Sequence, residues 1–222
     1  MRFYGAPSKA GVSRAEARES WTTTIAVYFD GELVHTDSIP VGGVHVTNDI
    51  ARGLSTPVVH AERMKTLYGS AIPSPYDDRE VLKVPLIGEE RESEANPVPR
   101  SMLVGIIRPR IEETFEMVRA RLEDTGFDKV AGRRVVLTGG ASQLPGVRDV
   151  AGSILEKQIR LGKPAQLRGL AEASSGPAFA TCAGLLHYAL ENTTVSVDAP
   201  YRPAEAPVGR FSRIGQWLRE NF

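Results

Sequence analysis

Twice along this chain a β-rich run ends at a pair of glycines, and a helix-like segment follows each pair. Gly42-Gly43 comes after the run 32–39, and Gly139-Gly140 comes after the run 133–138. Alternation of strand, glycine turn and helix is typical of an α/β fold. Neither pair belongs to a G-x-G-x-x-G or G-x-x-x-x-G-K-[ST] pattern, so neither a Rossmann site nor a P-loop is indicated. From these residues alone, both pairs are most simply tight turns.

Local patterns predict the elements around the first pair. Two β-rich runs flank Asp30-Gly31, which predicts a hairpin. Thr47 is predicted to cap a helix that extends to Leu54. Thr56-Pro57 is predicted to start a second helix that ends near Tyr68.

The second half of the chain has two further helical patterns. Apolar residues at helical spacing predict an amphipathic helix from Arg110 to Asp124. Gly176-Pro177 is predicted to open a last, buried helix through Leu190.

Composition restricts the partners and cofactors. Lys+Arg and Asp+Glu both number 27, so the formal charge is +0 and we expect no nucleic-acid partner. The single cysteine, Cys182, excludes an intrachain disulfide and a four-cysteine zinc site. The four histidines are too dispersed to predict a metal site. The longest apolar run, 102–107, falls far short of the ~18 residues that span a bilayer.

The order of the segments resembles the second half of the actin, Hsp70 and sugar-kinase superfamily. The segments are the hairpin, VGGVHVTNDIARGL, HAERMKTLYG, a mixed insert, VVLTGGASQLPGV and SSGPAFATCAGLL. Within that superfamily, VTNDIARGLS and AERMKTLYG are similar to the FtsA family of actin-like cell-division proteins. The resemblance implies the second half of an actin/Hsp70-like (ribonuclease H-like) α/β fold, with an inserted α+β subdomain and a C-terminal amphipathic helix.

The resemblance also implies how the chain is divided. We expect a divergent, disordered start at 1–21 and an actin-like core in two pieces, 22–54 and 131–190. An inserted subdomain would occupy 55–130 between them. A flexible linker, 191–208, and a membrane-binding helix, 209–222, would follow.

A Mg-dependent ATP site is a property that the resemblance implies for the full-length family. Gly139 and Gly140 would border the adenine, Glu62 and Lys65 would reach the ribose and base, and Gly42-Gly43 would lie near the phosphates. Without the resemblance, Glu62 and Lys65 are most simply solvated charges on a helix face.

The start of the chain departs from the family pattern. The family's Asp- and Gly-rich phosphate turn is replaced by the segment 17–21, Ala-Arg-Glu-Ser-Trp. The first half of the fold is absent as well, so we expect a truncated or mis-started product. One lobe cannot close around phosphate, and we therefore expect weak or absent ATP binding and no enzyme activity.

The C-terminal segment predicts a helix that lies in the plane of a membrane. At ~100° per residue its aromatic and aliphatic side chains fall on one arc, and arginines flank that arc. The alternative is a helix docked on its own domain, but the proline-containing linker 191–208 argues for a separate element. The candidate membrane residues are Arg210, Phe211, Arg213, Ile214, Trp217, Leu218 and Phe222.

The function implied by the resemblance is cell division at the septum. A member would act at the cytoplasmic face of the inner membrane, tether the FtsZ ring, recruit later division proteins and self-associate in its full-length form. Arg108 and Arg110 are the candidate contacts for the acidic FtsZ tail, although pairing with glutamates at helical spacing explains them equally well. The alternatives are an enzyme of the superfamily, such as a sugar or acetate kinase, and a pilus-assembly relative.

Overall fold

The computed structural model describes residues 2–5, 21–88, 95–130, 132–165 and 174–191. Two short 3-10 turns, Gly140–Gln143 and Pro177–Phe179, accompany the strands and helices. In chain order, the strands and α-helices of this part are β1 (Arg2–Gly5), β2 (Thr23–Phe29), β3 (Glu32–Ile39), α1 (Gly43–Gly53), α2 (Val58–Tyr68), β4 (Val81–Val84), β5 (Asn96–Pro99), α3 (Arg100–Asp124), α4 (Phe127–Val130), β6 (Arg134–Gly139), α5 (Val147–Leu155), β7 (Gln158–Leu161) and α6 (Ala180–Glu191).

A five-stranded mixed sheet has the order β3-β2-β1-β6-β7, and β4 and β5 form a separate two-stranded sheet. β1 pairs antiparallel with β2 and parallel with β6, so Phe3 is opposite Ile25 on one side and Leu137 on the other. β2 and β3 are antiparallel, whereas β6 and β7 are parallel. Helices follow the strands along the chain, as the predicted α/β class requires.

β1 corrects the expectation that residues 1–21 are disordered. Arg2–Gly5 forms the central strand of the sheet, held by backbone pairing on both sides, while residues 6–20 lie outside the described part. The strand is only four residues long, so its alternation is too short to stand out in the sequence.

The predicted hairpin is confirmed. Asp30 and Gly31 both have positive φ, at 48° and 90°, as a two-residue turn of the I′ type requires. The turn joins β2 to β3, and the pairing is continuous apart from an irregularity at Val27/Tyr28.

The cap of α1 lies five residues earlier than predicted. Gly42, not Thr47, is the cap residue, and Thr47 lies buried inside the helix. The prediction relied on the capping preference of threonine, but the Thr47 hydroxyl bonds to side chains of α2 instead.

α3 begins at Arg100 rather than at Arg110. Pro109 lies inside the helix, where it removes the bond that residue 109 would donate to the carbonyl of Gly105. Burial of Leu103 and Ile107 continues the apolar face upstream of the proline and stabilises this part of the helix.

One hydrophobic core joins the sheet to the helices. Ile25 and Val135 from the sheet, Ile50 from α1 and Ile107 from α3 belong to the same buried cluster. Parts of the predicted inserted segment 55–130 therefore share the core of the sheet. The predicted domain boundaries remain predictions.

α6 differs from the predicted buried helix. Its small residues Ala180 and Ala183 are buried, whereas Leu185 and Leu186 are exposed. The described residues up to Leu186 belong to one compact unit, and of the second unit, 187–222, only residues 187–191 are described.

Candidate functional site

The two glycine pairs lie next to each other. Gly139 ends β6 with φ +97°, and the 3-10 turn Gly140–Gln143 follows it. A Cβ atom on Gly43 would lie 3.2 Å from the Cβ of Ala141, so the first turn of α1 packs directly against this turn. The close approach explains why Gly43 lacks a side chain, and the positive φ explains Gly139.

An imidazole fixes the start of α1. The Gly42 N–H donates to Nδ1 of His45, at 3.1 Å, which satisfies a backbone donor at the helix N-terminus. The ring of Trp21 meets the His45 ring edge-on, with centroids 5.5 Å apart. The role of His45 was not predictable from the sequence, because a histidine three residues after a cap is not a standard capping residue.

A polar cluster, which comprises Gly43, Thr47, Glu62 and Lys65, joins α1 to α2. The Lys65 ammonium donates to Oε2 of Glu62 at 2.7 Å, to the Thr47 hydroxyl at 2.7 Å and to the Gly43 carbonyl at 3.1 Å. The Thr47 hydroxyl also lies 2.5 Å from Oε2 of Glu62. The structure thus brings the predicted Glu62 and Lys65 to the first glycine pair.

This cluster is largely enclosed. The Lys65 side chain is 14% exposed and that of Glu62 is 35% exposed. Thr47, which is only 1% exposed and lies at the centre of the cluster, was not predicted from the sequence as a residue of this site. No local pattern could have identified this role, because Glu62 and Lys65, the side-chain partners of Thr47, belong to another helix.

A small cavity lies behind the glycine pairs. Its volume is about 60 Å³, and its walls come from α1, α3 and the end of β6. Pockets for small molecules measure ~300–1,000 Å³, so this cavity has room for water molecules only. Lining residues include Gly43, Val46, Phe115, Leu137, Thr138 and Ser142.

The two predicted partner arginines on α3 are already paired. Nε of Arg108 donates to Oε1 of Glu112 at 2.7 Å. Nε of Arg110 donates to Oδ2 of Asp49 on α1 at 2.5 Å, and its Nη1 bonds to Glu113. The hydrogen bond that Arg110 donates to Asp49 raises the pKa of Arg110 above its usual value, although partial burial opposes that shift.

The predicted membrane residues lie outside the described part of the chain. They are Arg210, Phe211, Arg213, Ile214, Trp217, Leu218 and Phe222. Within the described ranges, no helix is long and apolar enough to cross a bilayer. The same ranges contain no group of three or more metal-ligating side chains suited to an ion.

Comparison with protein families gives a match to the model "Cell division protein FtsA" over residues 20–184. The FtsA proteins of Rhizobium meliloti and Pseudomonas aeruginosa are 45% and 34% identical to the chain, over 203 and 206 residues. Each alignment covers 90% of this chain, but 46% and 49% of those relatives. The chain therefore spans about half the length of the curated relatives that it matches.

Solved structures with a similar fold belong to the actin-like group. MreB5 of Spiroplasma citri bound to ADP has a TM-score of 0.56 at 15% identity, and the match covers 78% of this chain and 51% of that one. A PilM-PilN type IV pilus biogenesis complex has a TM-score of 0.54 at 20% identity, with coverage of 76% and 43%. At these identities the likeness establishes the fold alone, and it confirms the predicted actin-like α/β class.

Proposed function

The chain belongs to the FtsA family of cell division proteins, and from this premise we propose that it links the FtsZ ring to the membrane. The folded part would bind the acidic tail of FtsZ, and the segment 209–222 would bind lipid at the cytoplasmic face of the inner membrane. Recruitment of later division proteins and self-association belong to the same proposal. The observation that carries it is the family match over residues 20–184.

Family membership favours this role over the kinase and pilus alternatives. The curated relatives that match are named as cell division proteins. We propose that any ATP binding is weak and without turnover. The glycine turns and the polar cluster could contact a nucleoside, but the segment 17–21 lacks the family's phosphate turn.

Arg108 is better suited than Arg110 to capture an acidic peptide. Its side chain is 48% exposed, and within the described residues its one ion pair is with Glu112, one helical turn away. Such surface pairs contribute ~0.3–0.5 kcal/mol, so a peptide carboxylate can replace Glu112 at little cost. Arg110 joins α3 to Asp49 of α1, and its release would also weaken the fold.

We expect Arg108→Glu to weaken binding of an FtsZ C-terminal peptide by about tenfold or more. The variant loses a charge-assisted hydrogen bond and gains a repulsive charge. The measurement is a calorimetric titration of the whole chain at low and raised salt. Arg148→Glu, at an exposed site on α5, is the charge-matched control and should bind nearly as well as the parent.

The outcomes distinguish the residue assignment from the function. Equal weakening by both substitutions would mean that net charge, not Arg108, controls affinity. Full affinity in Arg108→Glu would contradict the assignment of this arginine, and a parent chain that does not bind the peptide would contradict the FtsZ role.

We expect Trp217→Glu to abolish co-sedimentation of the chain with anionic liposomes. Interfacial helices bind through burial of apolar area at ~25 cal/mol per Å², and a carboxylate placed among those side chains opposes that burial. Gln216→Glu is the matched control, because it adds the same charge on the predicted polar face. If Trp217→Glu and Gln216→Glu co-sediment with liposomes to the same extent, the predicted apolar arc of the helix is wrong.

A further inference from the structure

We propose that the outer edge of β4 binds an extended peptide as a third strand, and that this peptide carries an acidic and an apolar side chain two residues apart. β4 belongs to the two-stranded sheet, and within the described part of the chain it pairs with β5 alone. Addition of a strand to an exposed sheet edge is a recurring mode of peptide recognition. Neither nucleotide nor Arg108 takes part in this binding.

Backbone pairing determines which groups of β4 face outward. In an antiparallel pair, residues that exchange hydrogen bonds with the partner strand alternate with residues whose N–H and C=O point away from it. The Arg100 N–H donates to the Glu80 carbonyl at 2.8 Å, so Glu80 points toward the β5 side. Leu82, two residues further along, keeps this orientation. Val81 and Lys83 therefore direct their N–H and C=O groups to the outer edge of β4.

Prolines close the opposite edge of the same sheet. Pro99 and Pro97 of β5 lie opposite Val81 and Lys83, at positions where the backbone nitrogen faces away from the partner strand. Proline has no N–H, so these two residues interrupt no bond between β4 and β5 but remove the donors from the outer edge of β5. Proline on an edge strand hinders pairing with another chain. The sequence thus blocks one edge of the sheet and leaves the β4 edge open.

The exposed face of β4 determines which peptide fits. Leu82 and Val84 are buried in the core, whereas Val81 is 60% exposed and Lys83 is also exposed. Lys83 forms no ion pair with any described residue, and its cross-strand neighbour Pro97 carries no charge. Side chains that lie opposite each other on adjacent strands contact one another, and opposite charges there are favourable. A third strand should therefore place an acidic side chain beside Lys83 and an apolar one beside Val81.

The first test follows the backbone amides of the 15N-labelled whole chain by NMR, with acetyl-Glu-Thr-Val-Thr-Glu-amide as the probe. In either strand direction this peptide presents an acidic and an apolar side chain two residues apart. Without the peptide, the amides of Val81 and Lys83 should exchange with solvent about tenfold faster than that of Leu82, because they lack a partner. The peptide should slow the exchange of both.

Two results of this experiment would overturn the proposal. Fast exchange of Val81 and Lys83 that the peptide leaves unchanged would mean that the edge binds no strand of this kind. Slow exchange in the chain alone that becomes faster on dilution would mean that a second copy of the chain occupies the edge.

The second test reverses the charge at Lys83 and measures the affinity from the same resonances. Lys83→Glu should bind the acidic probe about tenfold more weakly than the parent and should prefer acetyl-Lys-Thr-Val-Thr-Lys-amide. Lys163→Glu, at an exposed site outside this sheet, is the charge-matched control and should bind like the parent. Equal affinity of the parent for the acidic and the basic peptide would overturn the acidic partner.

The third test blocks the edge itself. Val81→Pro removes an outward N–H, as Pro99 does on β5, and should abolish binding, whereas Val81→Thr keeps the N–H and should bind like the parent. A probe that is N-methylated at its valine and glutamate amides cannot pair with β4 and makes the same comparison on the unaltered chain. Full binding of the methylated probe would overturn strand addition, even if Val81→Pro failed to fold.

Discussion

Gly146→Ala is expected to lower the free energy of unfolding by about 2–5 kcal/mol. Gly146 has φ +82°, a conformation that costs an L-residue ~1–2 kcal/mol. A Cβ atom there would lie 2.6 Å from Cγ1 of Ile72 and 2.9 Å from its backbone nitrogen. The backbone cannot move aside freely, because the neighbouring Ala71 N–H donates to the Pro145 carbonyl at 2.8 Å. Overpacking of this kind costs ~1–3 kcal/mol.

Urea denaturation of the two proteins measures this effect, and Gly126→Ala provides the matched control. Gly126 also has a positive φ, at 73°, but a Cβ atom there would have no neighbour within 4 Å. The free energy of unfolding of the control should therefore fall only by the cost of placing an L-residue at positive φ, ~1–2 kcal/mol. Equal losses at the two positions would show that Ile72 does not oppose the added methyl group.

Asp77→Ala is expected to cost about 3 kcal/mol of stability. Asp77 is 2% exposed, accepts from the Ser74 N–H at 2.6 Å and forms an ion pair with Nη1 of Arg100 at 2.7 Å. Removal of one partner of a buried pair costs ~3–5 kcal/mol, and the lower end applies here because Arg100 is partly exposed. Arg100 also donates to the Tyr68 carbonyl, so the pair fastens the segment before β4 to the start of α3.

Glu80→Ala tests whether the burial of Asp77 causes the expected loss of stability. Glu80 approaches the same Arg100 nitrogen at 3.5 Å but is much more exposed, so its loss should cost less than ~1 kcal/mol. Both variants can be compared by urea denaturation at neutral pH. Similar losses would mean that the Asp77 pair has no special role, and its burial would then be incidental.

Local patterns predicted the elements whose residues have strong preferences. Asp30-Gly31 defined a hairpin because few dipeptides adopt two positive φ values easily. The start of α3 could not be predicted, since Pro109 normally ends a helix and only tertiary burial of Leu103 and Ile107 overrides that tendency. The exposure of α6 depends on which neighbours cover it, and periodicity does not contain that information.

The candidate site was predictable only in part. Both glycine pairs were visible as turns, and Glu62 and Lys65 were identified by family resemblance. Thr47 was assigned to a cap because threonine often caps helices, whereas its side-chain partners Glu62 and Lys65 lie 15 and 18 positions away. Cross-helix contacts of this kind arise from packing, and spacing along one helix cannot reveal them.

The central place of β1 has a consequence for how the chain folds. The β2–β3 hairpin can form locally within microseconds. β1 (Arg2–Gly5) and its parallel partner β6 (Arg134–Gly139) are far apart in the chain, so a long loop must close before they pair. Until then β2 and β6 each present an open edge that could pair with another nascent chain. The slow step in folding should therefore be closure of the sheet around its shortest central strand, with aggregation as the competing reaction.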